Sequence, residues 1–423
     1  MRNLFLGVEL NLSALAVNKL LNAYYSFNTL IDNYKTQKFT EVKHEVPFHG
    51  GFVIVMALFE KRKLRHDVAG FLKAAKEHGA FVIGVNTLRL DAESFNSGLF
   101  DVYIERDNFG RDFGSYQAGF SYLFDNDINK NCQRVMMIND SIYFSKKGMP
   151  EFIKLMSSSQ SHILGATENY DDIHHLGSFC ISFSQKVVSD PRFIAYWQEY
   201  KRTNVRPRII RKGEMELTSM LHRVNPENGN LPVAYDFRRL ERMLQDDRFL
   251  QSYVLKTRWG DDRIVISKSI SEYLETDKSA LDFYLANAMD VFDLDKIKIK
   301  SNKELRERVL NDISISEFIG KIDFNHVPFA VDFRRSIVAL CLKAYTDSSQ
   351  IHSNCVSLYS MGLPIIKIDL LYRSLASYGD IERIKQMLPD DEKDDFLSRV
   401  TAKGPGHNFL RGFQKLSFDY GYI

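Results

Sequence analysis

A chain of 423 residues exceeds the usual size of one hydrophobic core, so two units, or one unit with a large helical appendage, are expected. Its 56 Lys and Arg stand against 54 Asp and Glu, and the resulting net charge of +2 excludes a nucleic-acid binder that works by neutralising many phosphates. The four cysteines, Cys132, Cys180, Cys341 and Cys355, form no C-x-x-C pair, which excludes a disulfide framework and a thiolate metal site and suits a reducing cytosol.

The first 20 residues are mildly apolar but are broken by Glu9 and Asn11 and lack a small-residue cleavage site, so they do not read as a signal peptide. Residues up to about 48 carry helical periodicity, and Pro47, Gly50 and Gly51 punctuate a boundary. From Phe52 the pattern alternates. FVIVMALFE reads as a strand, 67–78 as an amphipathic helix, AFVIGVNTL as a strand, and 99–105 as another strand. A glycine-bearing turn then opens a helix over 108–124, and RVMMINDS follows as a buried strand. Strands interleaved with helices predict an α/β fold with a largely parallel sheet covered on both faces. The longest uninterrupted apolar run, 52–59, falls far short of the roughly 20 residues a membrane helix needs, so a soluble or peripheral protein is expected.

After that strand, 150–156 reads as a helix, HILGATENY and SFCISFS as strands, and Asp190 with Pro191 opens the aromatic helix RFIAYWQEY. The basic connector over 201–212 reads as a solvated loop, or as a contact for anionic lipid or a diphosphate-linked acceptor. GEMELTSMLHR is an amphipathic helix, and SALDFYLANAMDVFDL and ELRERVLNDISISEFIGKI extend a helical pattern beyond residue 250. The expected organisation is an N-terminal helical segment over 1–48, an α/β catalytic domain over 49–250 and a mostly helical region over 251–423.

Four polar groups are candidates for the chemistry. An apolar run delivers Asn139, Asp140 and Ser141 at its end, and ligands of open α/β sheets bind outside the carboxyl ends of strands. A carboxylate such as Asp140 there must be solvated, hydrogen-bonded or metal-paired. It would hold a divalent cation with diphosphate oxygens, or else cap the next turn. Upstream, the turn with Asn108, Arg111 and Asp112 contains a glycine that permits close backbone approach, and Arg111 can form charge-assisted bonds to phosphate. Its simpler reading is a helix N-terminus capped by Asp112. His174 and His175 precede the mouth of a predicted strand, within reach of diphosphate or acceptor hydroxyls, or else lie in a surface loop. Glu214 and Glu216 open a helix, where negative charge suits the dipole. A carboxylate there can also take a proton from a sugar hydroxyl.

The N-x-G-R-D turn at 108–112, N-D-S at 139–141, H-L-x-S at 175–178 and the Lys212-Gly213-Glu214 helix start, in that order, resemble the rhamnan synthesis protein F family of bacterial polysaccharide glycosyltransferases. The block IHSNCVSLYSMGLPIIKIDLLYR, with His352 and Lys367, is similar to that family's C-terminal segment, although PIIKIDLL by itself reads as the packed start of a helix or strand. The resemblance implies a GT-A-like nucleotide-diphospho-sugar transferase fold with a mostly helical C-terminal region. N-D-S stands where related enzymes carry Asp-x-Asp, so Mg or Mn would bind through one motif carboxylate, Asp140. The implied donor is dTDP-L-rhamnose, and the implied acceptor a lipid-linked oligosaccharide of a growing surface polysaccharide or lipopolysaccharide, on the cytoplasmic face of a membrane.

In this reading Asp140 binds the metal and diphosphate and is catalytic. Asn108, Arg111, Asp112, Asn139, Ser141 and His175 bind the donor, and Glu214 is the general base. The rival readings are a noncatalytic carbohydrate-binding or assembly protein of the same fold and a nucleotidyltransferase, whose glycine-rich basic N-terminal loop is missing.

Overall fold

The computed structural model describes residues 2–170, 173–225, 229, 231–256, 330–346 and 349–423. They fall into two units, Met1–Ala234 with Leu363–Ile423, and Tyr235–Gly362. The helical readings of 279–294 and 304–322 lie outside the described residues.

The first unit is built on a seven-stranded sheet. Its strands are β1 (Thr40–Glu45), β2 (Gly51–Leu58), β3 (Phe81–Asn86), β4 (Val102–Arg106), β5 (Cys132–Asn139), β7 (Ile163–Gly165) and β10 (Cys180–Ser184). They lie in the order β1-β4-β3-β2-β5-β10-β7. The central four, β4, β3, β2 and β5, are mutually parallel. Every residue of β3 and β4 is buried, and so is all of β2 except Gly51. That is why these segments read as near-continuous apolar runs rather than alternating ones. Both edges depart from the parallel expectation: β1 pairs antiparallel with β4, and β10 runs antiparallel between β5 and β7.

β1 was invisible to hydrophobic pattern because TEVKHE is almost wholly exposed. Its charges suit an edge strand, where they discourage pairing with another chain. Short pairs β6 (Ile142–Phe144) with β11 (Ile365–Lys367), and β8 (Glu168–Asn169) with β9 (His175–Leu176), complete the strands. The segment PIIKIDLL is thus strand β11, in which Lys367 lies opposite Ile142.

An aromatic cluster locks helices onto the sheet. Trp197, on the helix Pro191–Glu199, stacks on Phe120 of the helix Arg111–Asp125 at 4.6 Å and faces Phe113 at 6.0 Å. Asp190 caps the first of these helices by accepting from the Arg192 N–H, as its Asp-Pro start leads one to expect. The basic connector is not a loop through most of its length. Arg206–Ile209 is helical, Ile210–Met215 winds as a π-helix, and Glu216–Val224 continues as an α-helix. At the N-terminus, the helix Arg2–Lys35 exposes Leu20, Tyr24, Phe27, Leu30 and Tyr34. No helix of the described residues is long and apolar enough to cross a membrane.

The second unit is helical in its described parts, Phe237–Met243, Asp247–Lys256, Ala330–Thr346, Gln350–Ser353 and Cys355–Ser360. The buried Tyr345 hydroxyl donates to the Tyr235 carbonyl at 2.6 Å, and Arg334 pairs with Asp247 at 3.0 Å. His352 belongs to this unit, its Nδ1 lying 2.9 Å from the Ser349 hydroxyl.

Candidate active site

The turn after β4 is folded around a buried guanidinium. Arg106 donates to the carbonyls of Asp107 (2.8 Å), Phe109 (2.7 Å) and Arg111 (2.9 Å) and to the Ser115 hydroxyl (3.1 Å). Gly110 adopts φ +96°, and its N–H donates to Asn204 Oδ1 at 2.9 Å. Arg111 follows at φ +49°, an uncommon conformation for a residue with a side chain and a form of strain that clusters at functional sites. Asn108 is exposed on this turn, and Arg111 also reaches solvent.

A Cβ at Gly114 would lie 2.6 Å from Arg106 Nη2 and 2.8 Å from the Phe109 carbonyl. Gly114→Ala is therefore expected to lower unfolding stability by about 1–3 kcal/mol, the usual range for overpacking. Urea denaturation reads this directly, and a variant with the wild-type midpoint would mean that the clamp has room to spare.

The tip of β5 meets this turn. Asn139 Nδ2 donates to Asp112 Oδ2 at 3.2 Å, and Asn139 Oδ1 accepts from the backbone N–H (3.1 Å) and hydroxyl (2.6 Å) of Ser141. Lys367 Nζ, delivered by β11, donates to Ser141 Oγ at 2.8 Å. Asp112, Asn139, Ser141 and Lys367 thus form one connected polar chain. Burial raises the Asp112 carboxyl above its ordinary value, against the pull of Lys367 and Arg111.

Asp140 turns elsewhere. Its Oδ2 accepts from the Phe59 N–H at 2.6 Å, beyond the end of β2, while Arg65 holds the Asp140 and Ile142 carbonyls at 2.8 and 2.7 Å. Arg65 is oriented in turn by a two-point pair with Asp67. Burial pushes the Asp140 carboxyl up to about 8, and the adjacent Glu60 and Asp112 add to the effect against the Phe59 N–H and Arg65. Glu60 is raised as well, again chiefly by burial.

The sign of the linkage follows from that rise. The folded protein binds the Asp140 proton more tightly than the unfolded chain does, so its contribution is full below the unfolded carboxyl value of about 4. It is lost as pH climbs to about 8. Asp140→Asn, which resembles the protonated carboxyl, is expected to flatten the decline in urea midpoint across this window. An equally steep decline in the variant would assign it to other groups.

The third component comes from β9 and the π-helix. His175 is buried, its Nδ1 lies 2.8 Å from the Ile173 carbonyl, and its Nε2 faces Asn169 Nδ2 at 3.2 Å and Glu214 Oε2 at 3.6 Å. Ser178 Oγ donates to Glu214 Oε1 at 2.9 Å. Burial opposes ionisation of Glu214, but the His175 and Ser178 contacts, with the charges of His175 and Lys367, outweigh it and hold the carboxyl below its ordinary value. Glu214 is therefore ionised at neutral pH. The π-turn sets it there, with Gly213 close against the Phe113 ring, and π-turns of this kind are frequent at functional sites. His174 instead pairs with Glu168 at 2.8 Å, and Glu216 faces Lys212 at 3.5 Å.

Lys367 and Arg206 act on this carboxylate, and Arg111 and Arg373 act on Arg206. Burial lowers Arg206 to about 10, with Arg373 and Arg111 adding repulsion against Asp369 and Glu214. Arg111 is lowered by desolvation and by Arg373, against Asp112. Arg206 donates to the Gly421 carbonyl at 3.1 Å, and Arg373 pairs with Asp369 and donates to the Ile423 carbonyl at 3.2 Å. Guanidinium groups held close enough to repel one another suit an anion of more than one charge.

A resident divalent ion fits the residues poorly. Such an ion takes several oxygen ligands. The Asp140 carboxylate already faces a backbone N–H, Asn139 and Ser141 satisfy each other, and an ammonium group occupies the position beside Ser141. Among the described residues no three His, Cys, Asp or Glu side chains are grouped to hold a metal.

Arg106, Arg206 and Arg373 had no signal in the sequence as site residues. Arg206 was one of several cations in a connector, and Arg373 closes the IKIDLLYR block far along the chain. Only the pairing of β11 with β6 brings that block to the tip of β5.

The chain is 38% identical over 170 residues to the uncharacterized protein y4gN of Sinorhizobium fredii (strain NBRC 101917 / NGR234), covering 39% of this chain and 44% of the relative. It is 33% identical over 89 residues to the virulence protein VirA of Vibrio anguillarum (strain ATCC 68554 / 775), covering 21% of this chain and 28% of the relative. The chain thus spans less than half the length of these curated relatives. No solved structure matches it. Residues 81–225, which carry the Arg106 clamp, Arg111, Asp112, the N-D-S tip, His175, Arg206 and Glu214, match the family model of Rhamnan synthesis protein F.

Proposed function

We propose that this chain is a glycosyltransferase that moves a sugar from a nucleotide-diphospho-sugar onto an acceptor hydroxyl in polysaccharide synthesis. The observation that carries the reading is the ionised Glu214 carboxylate acted on by Arg206 and Lys367, with Arg111 and Arg373 close enough to Arg206 to repel it. The match to a rhamnan synthesis family model supports the process. Parallel strands that deliver polar tips at their carboxyl ends support the GT-A-like arrangement.

In this mechanism the guanidinium groups and Lys367 grip the donor diphosphate and neutralise the charge that develops as it leaves. Asn108, Asn139 and Ser141 offer hydrogen bonds to the nucleotide-sugar. Glu214, oriented by His175 and Ser178, accepts the proton of the acceptor hydroxyl as its oxygen attacks the anomeric carbon. The bond from that carbon to the diphosphate oxygen breaks, and the nucleoside diphosphate departs with the electron pair. Asp140 acts at one remove by fixing Phe59 and the end of β2. The donor would be dTDP-L-rhamnose and the acceptor a lipid-linked oligosaccharide at the cytoplasmic face of a membrane, both following from the family resemblance.

The test is calorimetry with nucleoside diphosphates, followed by release of nucleoside diphosphate from nucleotide sugars in the presence and absence of a chelator. Binding and acceptor-dependent release are expected, and they should persist with chelator because the chain supplies its own cations. Failure of every nucleoside diphosphate to bind would sink the reading.

A further inference from the structure

The turns of the basic connector divide its cations between two places. Arg206 interacts with the groups of the active site, whereas Lys201, Arg208 and Lys212 line a separate cavity of about 780 Å³, bordered by the helices Arg2–Lys35 and Pro191–Glu199. That volume lies in the range of small-molecule sites.

Its chemistry is set by cations whose charge the protein leaves largely unspent. Arg208 directs Nη2 to Asn22 Oδ1 at 3.1 Å and Ser26 Oγ at 2.6 Å, both neutral partners. Lys201 is exposed at the mouth. Lys212 reaches Glu216 only at 3.5 Å, with both side chains more than half exposed. Glu199 and Glu216 also line the cavity, and Arg202 pairs with Asp107 at 3.6 Å, so Lys201, Arg208 and Lys212 stand against two carboxylates.

A second observation points to a ligand. Tyr200 is 8% exposed and lines the cavity, and its buried hydroxyl has no hydrogen-bond partner among the described residues. Buried polar atoms are normally satisfied, so the Tyr200 hydroxyl beside the cavity keeps a hydrogen-bonding capacity that the described residues do not use. Tyr196 adds a ring of the kind that packs on sugar faces, and Leu30 brings the exposed apolar stripe of the N-terminal helix to the rim.

We propose that this cavity is a second ligand site, for a phosphate carried on a saccharide or on a lipid headgroup. Lys201, Arg208 and Lys212 hold the phosphate oxygens, and Tyr196 and Tyr200 flank the group that carries it. Phe109, in the turn clamped by Arg106, forms part of the wall, so an occupant would rest against the element that positions Arg111 and Asp112. The site stands independently of the reaction assigned to the neighbouring cleft.

The test compares the full chain with a Lys201→Ala, Arg208→Ala double variant. The probes are hexose 1-phosphate, followed by calorimetry, and phosphatidylcholine vesicles with and without phosphatidylglycerol, followed by co-sedimentation. The wild type is expected to take up at least one probe. The double variant should bind it at least about tenfold more weakly, as befits the loss of charge-assisted contacts, with no change in thermal midpoint or in nucleoside diphosphate affinity. Uptake of the sugar phosphate identifies a soluble ligand, and uptake of anionic vesicles alone identifies a headgroup. Either result supports the site. A wild type that takes up neither probe, or a double variant that binds as the wild type does, overturns it.

Discussion

Glu214→Gln is expected to slow sugar transfer by about 10²–10⁴-fold, the usual effect of removing a general base, while nucleoside diphosphate affinity stays within about twofold. The amide keeps the size of the side chain and can still accept from Ser178, so the π-turn and the His175 pocket should survive. What it loses is the ionised oxygen that receives the acceptor proton. The low pKa of Glu214 means that it is ready to accept at neutral pH, and that activity should fall only on the acid side as the carboxylate is protonated. Glu216 provides the control, since it faces Lys212 in solvent rather than His175. Glu216→Gln should transfer normally. Wild-type rates in Glu214→Gln, with acceptor present, would remove the carboxylate from the mechanism.

Much of the core was legible because parallel strands buried on both faces must be continuously apolar. β2, β3 and β5 therefore announced themselves in FVIVMALF, AFVIGVN and RVMMIN. β1 was not legible, because a charged edge strand carries no hydrophobic period and exists only through its pairing with β4. Within the site, proximity along the chain was a fair guide to Asn139, Ser141 and Asp112, which do bond to one another through Asn139. It failed for side-chain direction. Asp140 is adjacent to both Asn139 and Ser141, yet its carboxylate reaches the Phe59 N–H, since a sharp change of direction between β5 and β6 sends neighbouring side chains apart. Cations contributed by distant segments were the least legible, because a lone Arg in a connector or a terminal block has no periodicity to betray its partner. Lys367 is the clearest case: it sits in a segment that reads as simple packing, and only the register of β11 against β6 sets its ammonium on Ser141.

Arg206→Ala is expected to weaken nucleoside diphosphate binding by about 10- to 150-fold, the equivalent of one charge-assisted hydrogen bond of about 1.5–3 kcal/mol. Arg206 is preferred to Arg373 for this test because Arg373 also pairs with Asp369, so its loss would leave a carboxylate unpaired. Arg206 donates to the Gly421 carbonyl, and burial with the repulsion of Arg373 and Arg111 outweighs its attraction to Asp369 and Glu214. Removing it therefore relieves strain in the free protein while depriving the bound diphosphate of a partner, and stability and affinity should move in opposite directions. That opposition separates a ligand-binding cation from a structural one, whose loss lowers both. Arg206→Lys restores the charge but not the planar fork, and should recover only part of the affinity. Raising salt should weaken the wild type more than Arg206→Ala, because the variant has one fewer charge for counterions to screen. If Arg206→Ala instead unfolds more readily and binds nucleoside diphosphate as the wild type does, the cationic cluster serves to hold the C-terminal residues in place, and the anion site must be sought elsewhere.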